Sequence, residues 1–218
     1  MEFAPTEAEP ICPMCRRVRP RFDFAISYGS YDGALRRLLH LLKYEQLRPA
    51  ADALGGKLAE AITKQGITSD SPVLIVPVPL HKSKQRQRGF NQTELLAKSA
   101  LKQLDGSRFE LHTGNLRRVR PTVSQTGLTR HQRRENMRGA FVVTSPHRVR
   151  DRAVLIVDDV YTTGTTLNEC ARVLRAGGAK QVIVATVARV YRSVERLAPD
   201  GKFEKQGNAT VLAGAVAG

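Results

Sequence analysis

One segment constrains this chain more than any other: Val154-Leu155-Ile156-Val157-Asp158-Asp159-Val160-Tyr161-Thr162-Thr163-Gly164-Thr165-Thr166. Its unbroken aliphatic start reads as a strand covered on both faces, the habit of strands in parallel sheets. The strand is expected to run out at Val157 and deliver two carboxylates at its carboxyl end. A Thr/Gly turn follows, and then a helix over 167–176. Ligands of open α/β sheets bind just beyond the carboxyl ends of the strands. A helix N-terminus there offers unpaired N–H groups and the positive end of its dipole, which suits a phosphate. Gly164 lets the backbone approach closely, and the hydroxyls of Thr162, Thr163, Thr165 and Thr166 add donors. Asp158 and Asp159 would repel a phosphate, so they must face donors or a metal: sugar hydroxyls or Mg²⁺. Any one of these features is more often a solvated turn or a plain helix cap. In register behind a buried strand, they point to a phosphorylated sugar.

The rest of the chain supplies a sheet for that strand. Two further β-rich runs lie at 73–78 and 181–190, with another strand at 140–143. A helix starts from Asp32, with Leu35, Leu38, Leu39 and Leu42 on one face and Arg36, Arg37, His40 and Lys43 on the other. Others are expected over 49–65, stopped by Gly66, and over 92–104, capped by Asn91. Strands alternating with helices give an α/β class with a central, mainly parallel sheet flanked by helices. The expected organisation is a short segment, 1–24, with a single Cys-x-x-Cys, one domain over 25–192, and a flexible Gly/Ala-rich tail over 193–218.

Charge narrows the partners. With 35 Lys and Arg against 20 Asp and Glu, the formal net charge is +15. Such a surface attracts polyanions, either nucleic acid or phosphorylated small molecules, although solubility alone is the plainer explanation. Lys82, Lys84, Arg86 and Arg88 cluster on an expected loop after the 73–78 strand, and Arg130, Arg133 and Arg134 in the polar stretch 116–138. The second cluster reads equally as a lid over pyrophosphate or a nucleic-acid patch, with Phe90 and Tyr161 as aromatics placed to stack on a base. No apolar run approaches the ~20 residues of a membrane helix. The start of the chain lacks the basic-then-apolar pattern of a signal peptide. Three cysteines make no disulfide framework, so a cytoplasmic location is expected, with Cys170 a small buried thiol.

Four apolar residues, two acids, an apolar residue and Thr-Thr-Gly-Thr-Thr resemble the signature of type I phosphoribosyltransferases. That resemblance implies phosphoribosyl pyrophosphate with Mg²⁺ as ligand. Asp158 and Asp159 would hold the ribose hydroxyls, and Thr162, Thr163, Gly164, Thr165 and Thr166 the 5-phosphate. Pro79, Leu80, His81 and Lys82 would meet the pyrophosphate, under a mobile loop at 124–138.

Three more segments narrow it. Arg36-Arg37-Leu38-Leu39 leads to Leu42-Lys43-Tyr44, and Val76-Pro77-Val78-Pro79 leads to Arg86-Gln87-Arg88-Gly89-Phe90-Asn91-Gln92. The third is Ser124-Gln125-Thr126-Gly127-Leu128, leading to Arg133, Asn136, Gly139 and Phe141. In this order, over roughly 11–190, the chain resembles the ComF family of DNA-uptake competence proteins. By resemblance, it would bind single-stranded DNA as well and serve natural transformation beside DNA-uptake or recombination proteins; a homodimer is compatible with this. An active transferase with an unidentified acceptor stays open, since aromatics make up only 6% of residues and no base-reading motif is evident. Family members carry an N-terminal zinc ribbon with further Cys pairs. Cys12 and Cys15 would be a small remnant of that ribbon or hood region, two of the four ligands structural Zn²⁺ takes, so one chain leaves the set incomplete.

Overall fold

Strands that are apolar on both faces need both faces covered, and the fold is arranged around that requirement. The computed structural model describes residues 19–121, 129–191, 196–197 and 203–204. Its strands are β1 (Phe24–Ser30), β2 (Val73–Pro77), β3 (Phe109–Leu111), β4 (Leu116–Arg118), β5 (Phe141–Val143), β6 (Ala153–Tyr161) and β7 (Gln181–Arg189). Five of them form one parallel sheet in the order β1-β7-β6-β2-β3. β4 and β5 make an antiparallel pair beside it, and a short ribbon joins β8 (Arg196–Leu197) to β9 (Phe203–Glu204).

The helices are α1 (Gly33–Tyr44), α2 (Ala50–Gln65), α3 (Lys82–Arg88), α4 (Gln92–Leu101), α5 (Arg130–Met137), α6 (Pro146–Val149) and α7 (Thr165–Ala176). Side chains alternate along β6. Leu155 and Val157 join Leu54 and Leu58 of α2 and Leu96 of α4 on one face. Val154 and Ile156 join Leu167, Cys170 and Leu174 of α7 on the other, together with Phe141 of β5. All of these aliphatic residues are fully buried or nearly so, each worth about 1.5–3 kcal/mol against exposure. On the first face α2 and α4 approach closely at Gly55, where a Cβ would stand 2.4 Å from Ser99 Cβ.

Several expectations need correction. β6 does not stop at Val157; pairing with β7 continues to Tyr161 opposite Arg189, so both acids lie within the strand. Lys82, Lys84, Arg86 and Arg88 lie on a helix, not a loop: His81 caps it by accepting from Ser83 N, and Gly89 at φ 77° ends it. The polar stretch 116–138 contains β4 and α5. Edge strands β1 and β3 had no counterpart in the sequence reading, and Phe22, just ahead of β1, is core. Phe90 is buried, with Arg48 over its ring, so it cannot stack on a base. Tyr161 is half-buried, edge-on to Phe22 and under the Arg189 guanidinium. The expected buried thiol of Cys170 is found as such. Cys12 and Cys15 lie outside the described residues, as does the segment Ser124-Gln125-Thr126-Gly127-Leu128.

Candidate ligand-binding site

At the carboxyl end of β6 the chain turns through Thr162, Thr163 and Gly164 into α7. Gly164 sits at φ 71°, a left-handed conformation that strains any other residue type, and a Cβ there would stand 2.5 Å from Tyr161 Oη, which would have to move aside. The first N–H groups of α7 have no partners within the helix. The Thr163 and Thr165 hydroxyls lie 3.0 Å apart at its entrance. Asp158, Val160, Thr162, Thr163, Gly164, Thr165, Thr166 and Leu167 line a small open cleft. The predicted 5-phosphate residues thus come together around one space, with one of the two acids beside them.

The other acid faces elsewhere. Adjacent residues of a strand project to opposite faces, and Asp158 and Asp159 obey that rule. Asp159 is buried and its Oδ2 lies 2.7 Å from Lys43 Nζ of α1. The same oxygen accepts from Gln92 Nε2 of α4 at 3.1 Å. Gln92 in turn accepts from Arg88, whose guanidinium lies 5.9 Å above the Tyr44 ring. Asp158 instead borders the cleft. Burial, then the adjacent Asp159 charge, push its carboxyl up to about 7; the Lys43 and Arg118 charges act in the opposite direction.

The segment after β2 is fixed from behind. Val78 O accepts from Asn91 Nδ2 at 3.1 Å and from Thr93 Oγ1 at 2.6 Å, while the Asn91 side chain caps α4. These bonds tie the start of Pro79, Leu80, His81 and Lys82 to the start of α4. β2 and β6 are neighbours, so this segment leaves the same sheet edge as the cleft. Lys82, Lys84 and Arg86 are exposed on α3, whereas Arg88 is half-buried in the contacts just described. Arg130, Arg133 and Arg134 fall on α5, which runs beside α7. Gly139 N donates to Glu169 Oε1 of α7 at 2.8 Å, anchoring the chain after α5.

The comparisons with known proteins bear on this arrangement. Residues 94–210 match the phosphoribosyl transferase domain family, a span that contains β6, the Thr/Gly turn and α7. Competence protein F of Haemophilus influenzae is 33% identical over 181 residues, 82% of this chain and 78% of that protein. This chain belongs to the competence protein F family. DNA utilization protein YhgH of Escherichia coli K12 is 32% identical over 180 residues, 82% of this chain and 77% of its own length. Competence protein ComFC of Bacillus subtilis is 23% identical over 193 residues, 85% of this chain and 75% of its own. For this competence protein F relative, sequence reasoning found the cleft but missed the Lys43–Asp159–Gln92–Arg88 chain of contacts. Lys43 and Arg88 read as solvent-facing charges, and only their presence in the motif segments singled them out.

Proposed function

We propose that this protein binds phosphoribosyl pyrophosphate at the β6–α7 cleft and single-stranded DNA across its basic surface, in the uptake of DNA by a cell, and that it works in the cytoplasm. The carrying observation is the cleft itself: a glycine-built turn, a helix N-terminus and threonine hydroxyls beside a single carboxylate. Those groups suit a phosphate on one side and sugar hydroxyls on the other. The names of the relatives, competence and DNA utilization, support the cellular role. Among the described residues no helix is long and apolar enough to cross a membrane.

Mg²⁺ fits this reading on limited terms. It is usually held by one or two carboxylates plus phosphate oxygens and waters. No group of three or more His, Cys, Asp or Glu residues gathers among the described residues, and Asp159 is already paired. Asp158 would therefore hold the metal, which would offset the charge of a pyrophosphate. The protein's own part is to place the 5-phosphate on the turn and the ribose against Asp158.

Calorimetry with phosphoribosyl pyrophosphate and Mg²⁺ tests the assignment. One ligand per chain is expected, with D158N weakening it at least about tenfold, roughly 1.4 kcal/mol. Absence of binding by the unaltered protein would remove the assignment. Release of pyrophosphate on adding candidate bases would favour the transferase reading, which the same cleft permits.

A further inference from the structure

Lys43 is the feature of the site that the assignment above leaves unused. It lies in the last turn of α1, far in sequence from the cleft, with its side chain 19% exposed against 9% for Asp159. Nζ and Gln92 Nε2 both reach Asp159 Oδ2, at 2.7 and 3.1 Å. Burial disfavours the ammonium, but the Asp159 charge and hydrogen bond, with the more distant Asp158, outweigh it and hold Lys43 protonated. Asp159 thus keeps a monovalent cation delivered by another element, with Asp158 adding only its more distant charge.

This arrangement has a consequence for metals. A divalent cation approaching Asp159 would have to displace the ammonium or lie beside it, and like charges at such distances repel strongly in a poorly hydrated site. A cation arriving with a pyrophosphate brings its own compensating charge and needs only Asp158. We propose that Lys43 is the resident counter-ion of Asp159, leaving only Asp158 open to a divalent cation. The site then takes its metal together with the phosphorylated ligand, not ahead of it; that last clause rests on the ligand assignment above.

Mn²⁺, countable by its spin resonance, is the probe, with thermal melting as the second readout. Without ligand, the unaltered protein and K43R should bind Mn²⁺ weakly and melt at the same temperature with or without it. K43M strands a buried carboxylate, which is strongly destabilising. Mn²⁺ should bind K43M at least tenfold more tightly and recover its melting temperature, because the metal replaces the lost charge. K43M/D159N, with both charges gone, should be indifferent to Mn²⁺. If K43M gives no folded protein, K43Q keeps a donor to Asp159 without the charge and is read the same way. The proposal is overturned if Mn²⁺ favours neither neutral variant over the unaltered protein, or if K43M/D159N responds as K43M does. Adding phosphoribosyl pyrophosphate to the unaltered protein should tighten Mn²⁺ at least tenfold. Ligand binding without that gain overturns the coupled uptake. No ligand binding at all overturns the ligand assignment, and the counter-ion result stands by itself.

Discussion

Asp158 is held at the cleft against its own stability. Its carboxyl is pushed up to about 7 by burial and by the Asp159 charge, against an ordinary value of 3.8. Between those two values the folded chain holds a proton that the unfolded chain has released, so stability attributable to this group falls as pH rises through that window. Each tenfold of raised proton affinity is worth about 1.4 kcal/mol. D158N keeps the shape and cannot ionise, so the ligand-free variant should exceed the unaltered protein in denaturant midpoint at pH 8, and should lose that advantage at pH 4. Equal midpoints at both values would mean that the carboxylate is freely solvated. The sequence showed the acid pair and the threonine–glycine turn as candidates, because those residue types are few in chemistry and consecutive in the chain. It could not show that the acids part company. That outcome depends on β6 continuing past Val157, and on Lys43 arriving from a helix more than a hundred residues earlier.

The elements that could be read from sequence were those with an unbroken apolar run or a clear apolar face. β2 and β6 are apolar throughout their first residues, and α1 carries its leucines at helical spacing, so their patterns survive without tertiary knowledge. β1, with Tyr28, Gly29 and Ser30, is an edge strand of mixed character, and β3 has three residues. Neither length nor alternation marks such strands; they exist because a neighbour pairs with them. α3, with the sequence KSKQRQR, has no apolar face at all and is held by its caps, His81 and Gly89. The close packing of α2 against α4 was not legible in the sequence. Gly55 in α2 meets Ser99 of α4, so Gly55→Val should destabilise the fold by about 1–3 kcal/mol, as overpacking does. Chemical denaturation checks this. G55V/S99G should recover part of the loss, whereas equal damage in the single and double variants would place the strain elsewhere.

At the scale of the molecule, the strand order brings the cleft and α3 to the same edge of the sheet. β2 and β6 are hydrogen-bonded neighbours, α3 follows the carboxyl end of β2, and the cleft follows that of β6. Exposed Lys82, Lys84 and Arg86 therefore lie on a helix that leaves the same sheet edge as the turn that would take a phosphate, on a chain of net charge +15. A single strand bound there would release counterions, lowering affinity as salt rises with a log–log slope of about −0.7 per phosphate contact. Replacing Lys82, Lys84 and Arg86 by Glu removes three contacts and should flatten that slope by about 2. The loss should be equal on every sequence, since phosphate contacts carry no base information. Arg88 is not part of this set, because its guanidinium already serves Gln92 and Tyr44. Filter binding of single-stranded DNA across a salt series measures the slope. The same geometry makes the two ligands neighbours, so phosphoribosyl pyrophosphate with Mg²⁺ should compete with DNA for the α3 surface and raise its apparent dissociation constant. An unchanged slope in the triple variant would move the DNA path to another face. An unchanged DNA affinity under saturating phosphoribosyl pyrophosphate would mean that the two anions use this sheet edge independently.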